Sequence, residues 1–506
     1  MHITPFAHRA LRPAYLTAVA ALVITVQTAD AQQGGAHTAP ALSRADSALI
    51  YDILTAEEQR DPAAEALHIG AAHPDSRVRM ISLRARARIS DSTFASRDSL
   101  GRPDDRPLPN WPLPEWADRF RTLSARTIGC DTLARAIADS AIQVRLRAIA
   151  LAGNQAACRT HPELLNALRA RVIGLPANTS GRSRGLGSWH EGAAALLSYA
   201  LLAPDSAQPL TARSARHSQP QVRRAAARAA VVTRDTLLLR SLVSDDDGNV
   251  VEAALQGLSR VAGHADDSVY ITRLTATTPQ VARAAAQALK GSARPDAATS
   301  ARRALTTVAA RNIASERDVR AALRAVLSDT TPEPWLLRQR TPLPREVIAL
   351  ALGEPMFIEV TSSRLHGGAS FTVELRGDVA PIMAARVLAR VRTQQYDGQR
   401  WHRVEPGFVI QGGSPHDNEY SGSAYFFVDE LATIPHPRGS VGMSTRGHDT
   451  GDAQWFINLR DNARLMGDYT VFGVVVRGMD AVDRVLEGDA FYVMREVSAP
   501  GRPTRP

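Results

Sequence analysis

A turn rich in Asp, Pro or Ser, followed by Val and often Arg at the head of an apolar helix, recurs through residues 45–335. Clear copies are Pro74-Asp75-Ser76-Arg77-Val78-Arg79, Asp139 to Arg145, Ser218 to Arg223, Asp247 to Val251, Thr278 to Arg283 and Ser315 to Arg320. Val222, Val250 and Val281 stand 28 and 31 residues apart, which is a repeat period. Asp, Ser or Pro at the turn can cap or start the second helix of each unit, while Val, Ala and Leu at three- and four-residue spacing form its apolar stripe. One helix pair cannot bury that stripe, but stacked neighbours can. Aromatics make up only 5% of the chain, which favours helices packed through small side chains.

This pattern resembles HEAT repeats, and the resemblance implies an all-α solenoid over residues 45–335 with a long surface for an unidentified protein partner or client. Pro-rich text at residues 100–115 and Gly-, Ser- and Asn-rich text from Asn178 to Ser188 interrupt it as loops. The string Gly181-Arg182-Ser183-Arg184-Gly185 has the spacing of a hydrolase nucleophile turn, but no apolar strand precedes it. Asp245-Asp246-Asp247-Gly248 lacks calcium-loop spacing and reads as a turn between helices.

Basic residues exceed acidic ones by 12 in residues 1–350 and fall 3 short in residues 351–506, and Lys290 is the sole lysine. The dispersed arginines read as a solvated helical face. Without interleaved aromatics or a clustered patch they do not suggest nucleic-acid binding. Residues 1–31 read as an export signal: Arg9 and Arg12, then the apolar run Leu16 to Val26, then Ala29-Asp30-Ala31. That run is too short to span a bilayer of about 30 Å, so no membrane anchor is expected and the protein is placed in the periplasm or outside the cell. Cys130 and Cys158 are the only cysteines; they can pair in an oxidising compartment, and they make a poor zinc site, so no metal is expected.

Residues 336–353 read as a Pro-punctuated linker, residues 354–498 as a second domain and residues 499–506 as a tail. Met356 to Val360 and Ser370 to Leu375 alternate apolar and polar residues as half-buried strands do. Pro381 to Arg392 reads as an amphipathic helix and Met479 to Leu486 as a shorter one. Many strands with two helices predict a mainly-β closed barrel.

Three ordered blocks in this domain resemble cyclophilins: Tyr396 to Gly413, containing Phe408-Val409-Ile410-Gln411-Gly412-Gly413; Gly442-Met443-Ser444 with Gln454-Trp455-Phe456-Ile457; and Leu465 to Gly473. The resemblance implies peptidyl-prolyl cis-trans isomerase activity on Pro-containing polypeptides, with no cofactor. Rotation about Xaa-Pro meets a barrier of ~20 kcal/mol because the twisted amide loses resonance. A catalyst therefore needs a donor for the freed nitrogen lone pair, an apolar slot for the ring, and anchors for the neighbouring peptide.

By resemblance the catalytic set is Arg403, Phe408 and Gln411. Arg403 is the donor and Gln411 its orienting partner. Val409, Met443, Ser444, Thr445, Gln454, Phe456, Leu465 and Tyr469 are the implied substrate-binding residues. His402 is a structural residue, since no proton is transferred. Thr445, Arg446 and Arg464 depart from the usual pattern; Arg446 narrows the groove, and Arg464 implies weak cyclosporin binding. Glu405, two residues from Arg403, can compete for its guanidinium. The resemblance and the signal together imply assistance to the folding of exported proteins. The alternative is a non-catalytic interaction scaffold whose cyclophilin fold binds Pro-containing segments.

Overall fold

The computed structural model describes residues 41–90, 108–123, 128–175, 189–331, 341–362, 369–490 and 493–499. The export-signal segment, the Gly181 to Gly185 string and the tail from residue 500 lie outside them. Each turn marked in the sequence opens a helix: Ser76–Ser90, Ile142–Gly153, Pro220–Val232, Gly248–Ala262, Pro279–Leu289 and Arg317–Val326. The repeated valines Val78, Val144, Val222, Val250, Val281 and Val319 are all buried. Asp247 caps its helix by accepting from the backbone N–H of Asn249 at 2.9 Å and of Val250 at 3.2 Å. The last four of these helices pack side by side in series. Buried Ala226, Ala230, Ala254 and Ala285 leave room for that approach.

The arginine after the valine is not simply a solvated face. Arg79 donates to the carbonyls of His73 and Pro74 at 2.5 and 2.6 Å, and Arg145 to those of Asp139 and Ser140 at 2.8 and 2.9 Å. Arg223 repeats this on His217 and Ser218 at 3.0 and 3.2 Å. These carbonyls follow the end of the preceding helix and lack helical donors, which the guanidinium supplies. Cys130 and Cys158 form a disulfide tying the helix Cys130–Ala136 to the turn Ala156–Thr160.

The C-terminal region is an antiparallel sheet of eight strands: β1 (Met356–Thr361), β2 (Ser370–Leu375), β3 (Arg403–Glu405), β4 (Val409–Gly412), β5 (Ser440–Met443), β6 (Trp455–Asn458), β7 (Val471–Arg477) and β8 (Val493–Val497). The order is β3-β4-β6-β5-β7-β2-β1-β8. Instead of the closed barrel expected, the ladder among the described residues is linear. Among the described residues its end strands, β3 and β8, share no ladder, but the segments beside them are joined by a bridge of Arg400 to Ala490 and by the Trp401 N–H donating to the Asp489 carbonyl at 2.9 Å; another isolated bridge joins Phe427 to Gly451. Phe371, Trp401, Trp455 and Ile410 fill the sheet's core, with the helix Pro381–Arg392 packed against it.

Residues 44–506 form one compact unit. Helical residues meet the sheet domain at many points along the chain. Arg386 donates to the Glu58 carboxylate through two hydrogen bonds of 2.9 Å, Arg88 donates to the Val379 carbonyl at 2.7 Å, and Gln143 donates to that of Asp483 at 3.0 Å. Within the segment read as a linker, the helix Glu346–Ala351 buries Val347 and Leu350. Among the described residues no helix is long and apolar enough to cross a membrane.

Candidate active site

The site starts from a turn. Pro406 and Gly407, the latter at φ 80°, form the corner between β3 and β4, closed by the Phe408 N–H donating to the Glu405 carbonyl at 2.9 Å. Pro fixes the first corner residue and only Gly readily takes the positive φ of the second, so this sequence sets a type II turn. The turn fixes register: Arg403 pairs with Gln411 across β3 and β4, and Gln411 pairs with Phe456 across β4 and β6. Paired residues project to the same side of a sheet, so the three side chains share one face.

On the next strand, β5, Gly442 pairs with Phe456, and a Cβ at Gly442 would come within 2.5 Å of the Phe456 ring. The glycine leaves the space in which that ring lies. Phe456 meets Tyr469 edge to face, with ring centres 5.6 Å apart. Asn462 donates to the Phe408 carbonyl at 3.1 Å, and the Leu459 N–H donates to it at 2.9 Å, holding the loop that carries Leu465 against the turn.

A cavity of about 540 Å³ opens over this face. Arg403, Phe408, Val409, Gln411, Ser444, Thr445, Phe456, Leu465 and Tyr469 line it. Met443 and Gln454, also expected at the substrate, do not line it. Met443 is fully buried beneath, because its position in β5 points it into the core. Gln454 is buried behind Gln411, accepting from Gln411 Nε2 at 2.9 Å and donating to the Ser421 carbonyl at 2.6 Å. Gln411 Nε2 also donates to Ser444 Oγ at 3.1 Å, and its Oε1 accepts from Arg403 Nη1 at 3.4 Å.

Electrostatics centre on Arg403. Its guanidinium lies 5.9 Å from the centre of the Phe408 ring. Glu405 takes it at 2.6 Å, as its place two residues along the strand suggests, and Glu419 takes Nη1 at 3.1 Å. Arg464 sits over Phe408 at 4.4 Å. Burial pushes His402 down to about 4, so it is neutral at ordinary pH and sits behind the site as a structural residue.

Glu419, Tyr420 and Asp468 also line the cavity, and sequence reasoning missed them. Glu419 and Tyr420 lie in a connecting segment where no hydrophobic period or motif marks them, and Asp468 lies within the block Leu465 to Gly473, where nothing singles out its side chain. A larger cavity, about 670 Å³, lies between residues 108–121 and the loops around Gly407 and Arg438; its aromatics Trp111, Trp116 and Phe120 belong to the first of these segments.

Residues 357–498 match the family model for cyclophilin type peptidyl-prolyl cis-trans isomerase/CLD. Peptidyl-prolyl cis-trans isomerase B of Bacillus subtilis is 37% identical over 139 residues, 27% of this chain and 95% of the relative. A peptidyl-prolyl cis-trans isomerase of Helicobacter pylori is 34% identical over 124 residues, 24% of this chain and 76% of the relative. A crystal structure of a Cryptosporidium parvum cyclophilin aligns with a TM-score of 0.27 and 22% identity, covering 29% of this chain and 99% of that one.

Proposed function

Since this chain belongs to the cyclophilin-type peptidyl-prolyl cis-trans isomerases through residues 357–498, we propose that it turns over Xaa-Pro bonds in the groove above β4 and β6, with Arg403 as the donor. The observation that carries this assignment is the cross-strand register of Arg403, Gln411 and Phe456 beside Phe408. Phe408, Val409, Phe456 and Leu465 hold the proline ring out of water. As the amide twists, the prolyl nitrogen regains its lone pair, and a guanidinium N–H donates to it. That contact exists only in the twisted state, so it lowers the barrier and does not merely tighten binding. Gln411, held by Gln454 and Ser444, keeps the guanidinium over the ring.

The same proposal places the protein outside the cytoplasm, assisting exported proteins, with residues 45–335 stacked as a HEAT-like solenoid that receives clients or a partner. The Cys130–Cys158 disulfide supports an oxidising compartment. The stacked helices and their buried valines support the solenoid.

Isomerisation of a proline peptide by the full chain tests the assignment. The expected outcome is a rate well above the uncatalysed one that falls at least tenfold in Phe456→Ala. A folded protein that binds the peptide without changing its isomerisation rate would instead be the pure interaction scaffold.

A further inference from the structure

Arg403 is engaged before any substrate arrives. Its Nε and Nη2 face Glu405, at 2.8 and 2.6 Å, while Nη1 faces Glu419 at 3.1 Å and Gln411 at 3.4 Å. Glu405 comes from the same strand. Glu419 comes from across the groove, from a segment anchored to the helical repeats.

That anchoring has several parts. Arg446 donates to the Glu419 carbonyl at 2.5 Å while its Nε pairs with Asp318, on the helix Arg317–Val326, at 2.7 Å. The Tyr420 ring lies 3.5 Å from the guanidinium of Arg283, itself buried and paired with Glu252 at 2.6 Å. The backbone N–H groups of Ala314 and Ser315 donate to the carbonyls of Ala424 and Ser423 at 3.0 and 3.4 Å. Asn249 donates to the His416 carbonyl at 3.1 Å. The helices therefore fix the backbone of this wall, while the Glu419 carboxylate, 46% exposed, stands in the groove.

We propose that Glu419, positioned from the helical repeats by Asp318 through Arg446, makes the groove selective for prolines flanked by Lys or Arg. The inference rests on the groove being the isomerase site. A cationic substrate side chain takes the Glu419 carboxylate and releases Nη1 of Arg403 toward the prolyl nitrogen. A neutral substrate must break the same pair with nothing in exchange. An acidic one meets Glu419 and Asp468 as like charges. Of the groove's other cations, Arg446 is held by Asp318. Arg464, which has no carboxylate partner among the described residues, lies on the Phe408 ring and is the group that would favour acidic substrates.

The test uses the full chain and peptides with Lys, Ala or Glu on either side of a single proline, with kcat/KM and Kd measured at low and high salt. The Lys peptide should exceed the Ala peptide about fivefold, the size expected of one partly exposed ion pair, and salt should shrink the ratio. Glu419→Gln should bring the ratio close to one and raise the rate on the Ala peptide. Asp318→Asn, outside the groove, should also lower the ratio at unchanged helix content, and Asp318→Glu should restore it. An unchanged ratio in Glu419→Gln, or a Glu peptide that is best, overturns the proposal. If no peptide is isomerised but Kd shows the Lys preference and its loss in Glu419→Gln, the charge selection stands and the isomerase assignment falls. Kd values without that preference sink the selection itself.

Discussion

Single residues here separate packing from chemistry by their surroundings. His402 and His436 both lie near the site, and burial pushes each down to about 4. Neither is placed to move a proton, and the reaction needs no proton moved, so kcat/KM should show no inflection near pH 6.5. Their effect belongs to stability. Between about pH 4 and 6.5 the unfolded chain takes up protons that these buried rings refuse, so stability is present above pH 6.5 and falls as pH drops toward 4. His402→Asn should flatten that fall, which urea midpoints at pH 4.5 and 7 would register. An equal fall in the variant would remove His402 from the account. The same contrast applies to arginines: Arg403 faces a cavity, whereas Arg386 is buried on Glu58. Both are single letters in a chain rich in arginine, and their surroundings separate them.

At the scale of elements, the Val-Arg turn is a structural unit and not only a pattern. Arg79→Ala removes donors from two turn carbonyls, and a loss of about 1 kcal/mol in unfolding free energy is expected, with Val78→Ala costing about 1–2 kcal/mol more through its buried cavity. An Arg79→Ala variant as stable as the parent would return that arginine to solvent. The repeated valines, the strands Met356–Thr361 and Ser370–Leu375 and the helix Pro381–Arg392 were legible because burial on one face imposes a period of two or of three to four on the letters. The helix Met479–Asp483 is shorter than the run that suggested it. The groove residues Arg403, Phe408, Gln411 and Phe456 were legible through contiguous blocks that bring a turn and its flanking strands together. Glu419 and Asp318 were not: Glu419 reaches Arg403 from a connecting segment that obeys no local period, and Asp318 reaches Arg446 from a helix more than a hundred residues earlier in the chain. Closure of the barrel was not legible, because alternation reports which face a strand buries and says nothing of whether the end strands meet; the ladder of named strands is linear.

Across the whole molecule, the helical repeats and the sheet domain share buried ion pairs instead of a loose link. Glu58 and Arg386 are each about 6% exposed and joined twice at 2.9 Å. Removing one partner strands the other, so Glu58→Ala should cost about 3 kcal/mol. Helix signal by circular dichroism and tryptophan fluorescence should still fall together in urea, as one cooperative unit does. Two separated transitions would show independent domains. The groove works within this frame, with one wall on the sheet and its opposite wall held from the helices. The most direct measurement is cis–trans exchange of a proline peptide bound at saturation to the full chain, followed by NMR for the parent and Arg403→Ala. The account predicts an exchange rate at least 30-fold lower in the variant, about 2 kcal/mol of transition-state stabilisation, with Kd changed by less than about threefold. Equal exchange rates on the two proteins at matched occupancy would contradict it.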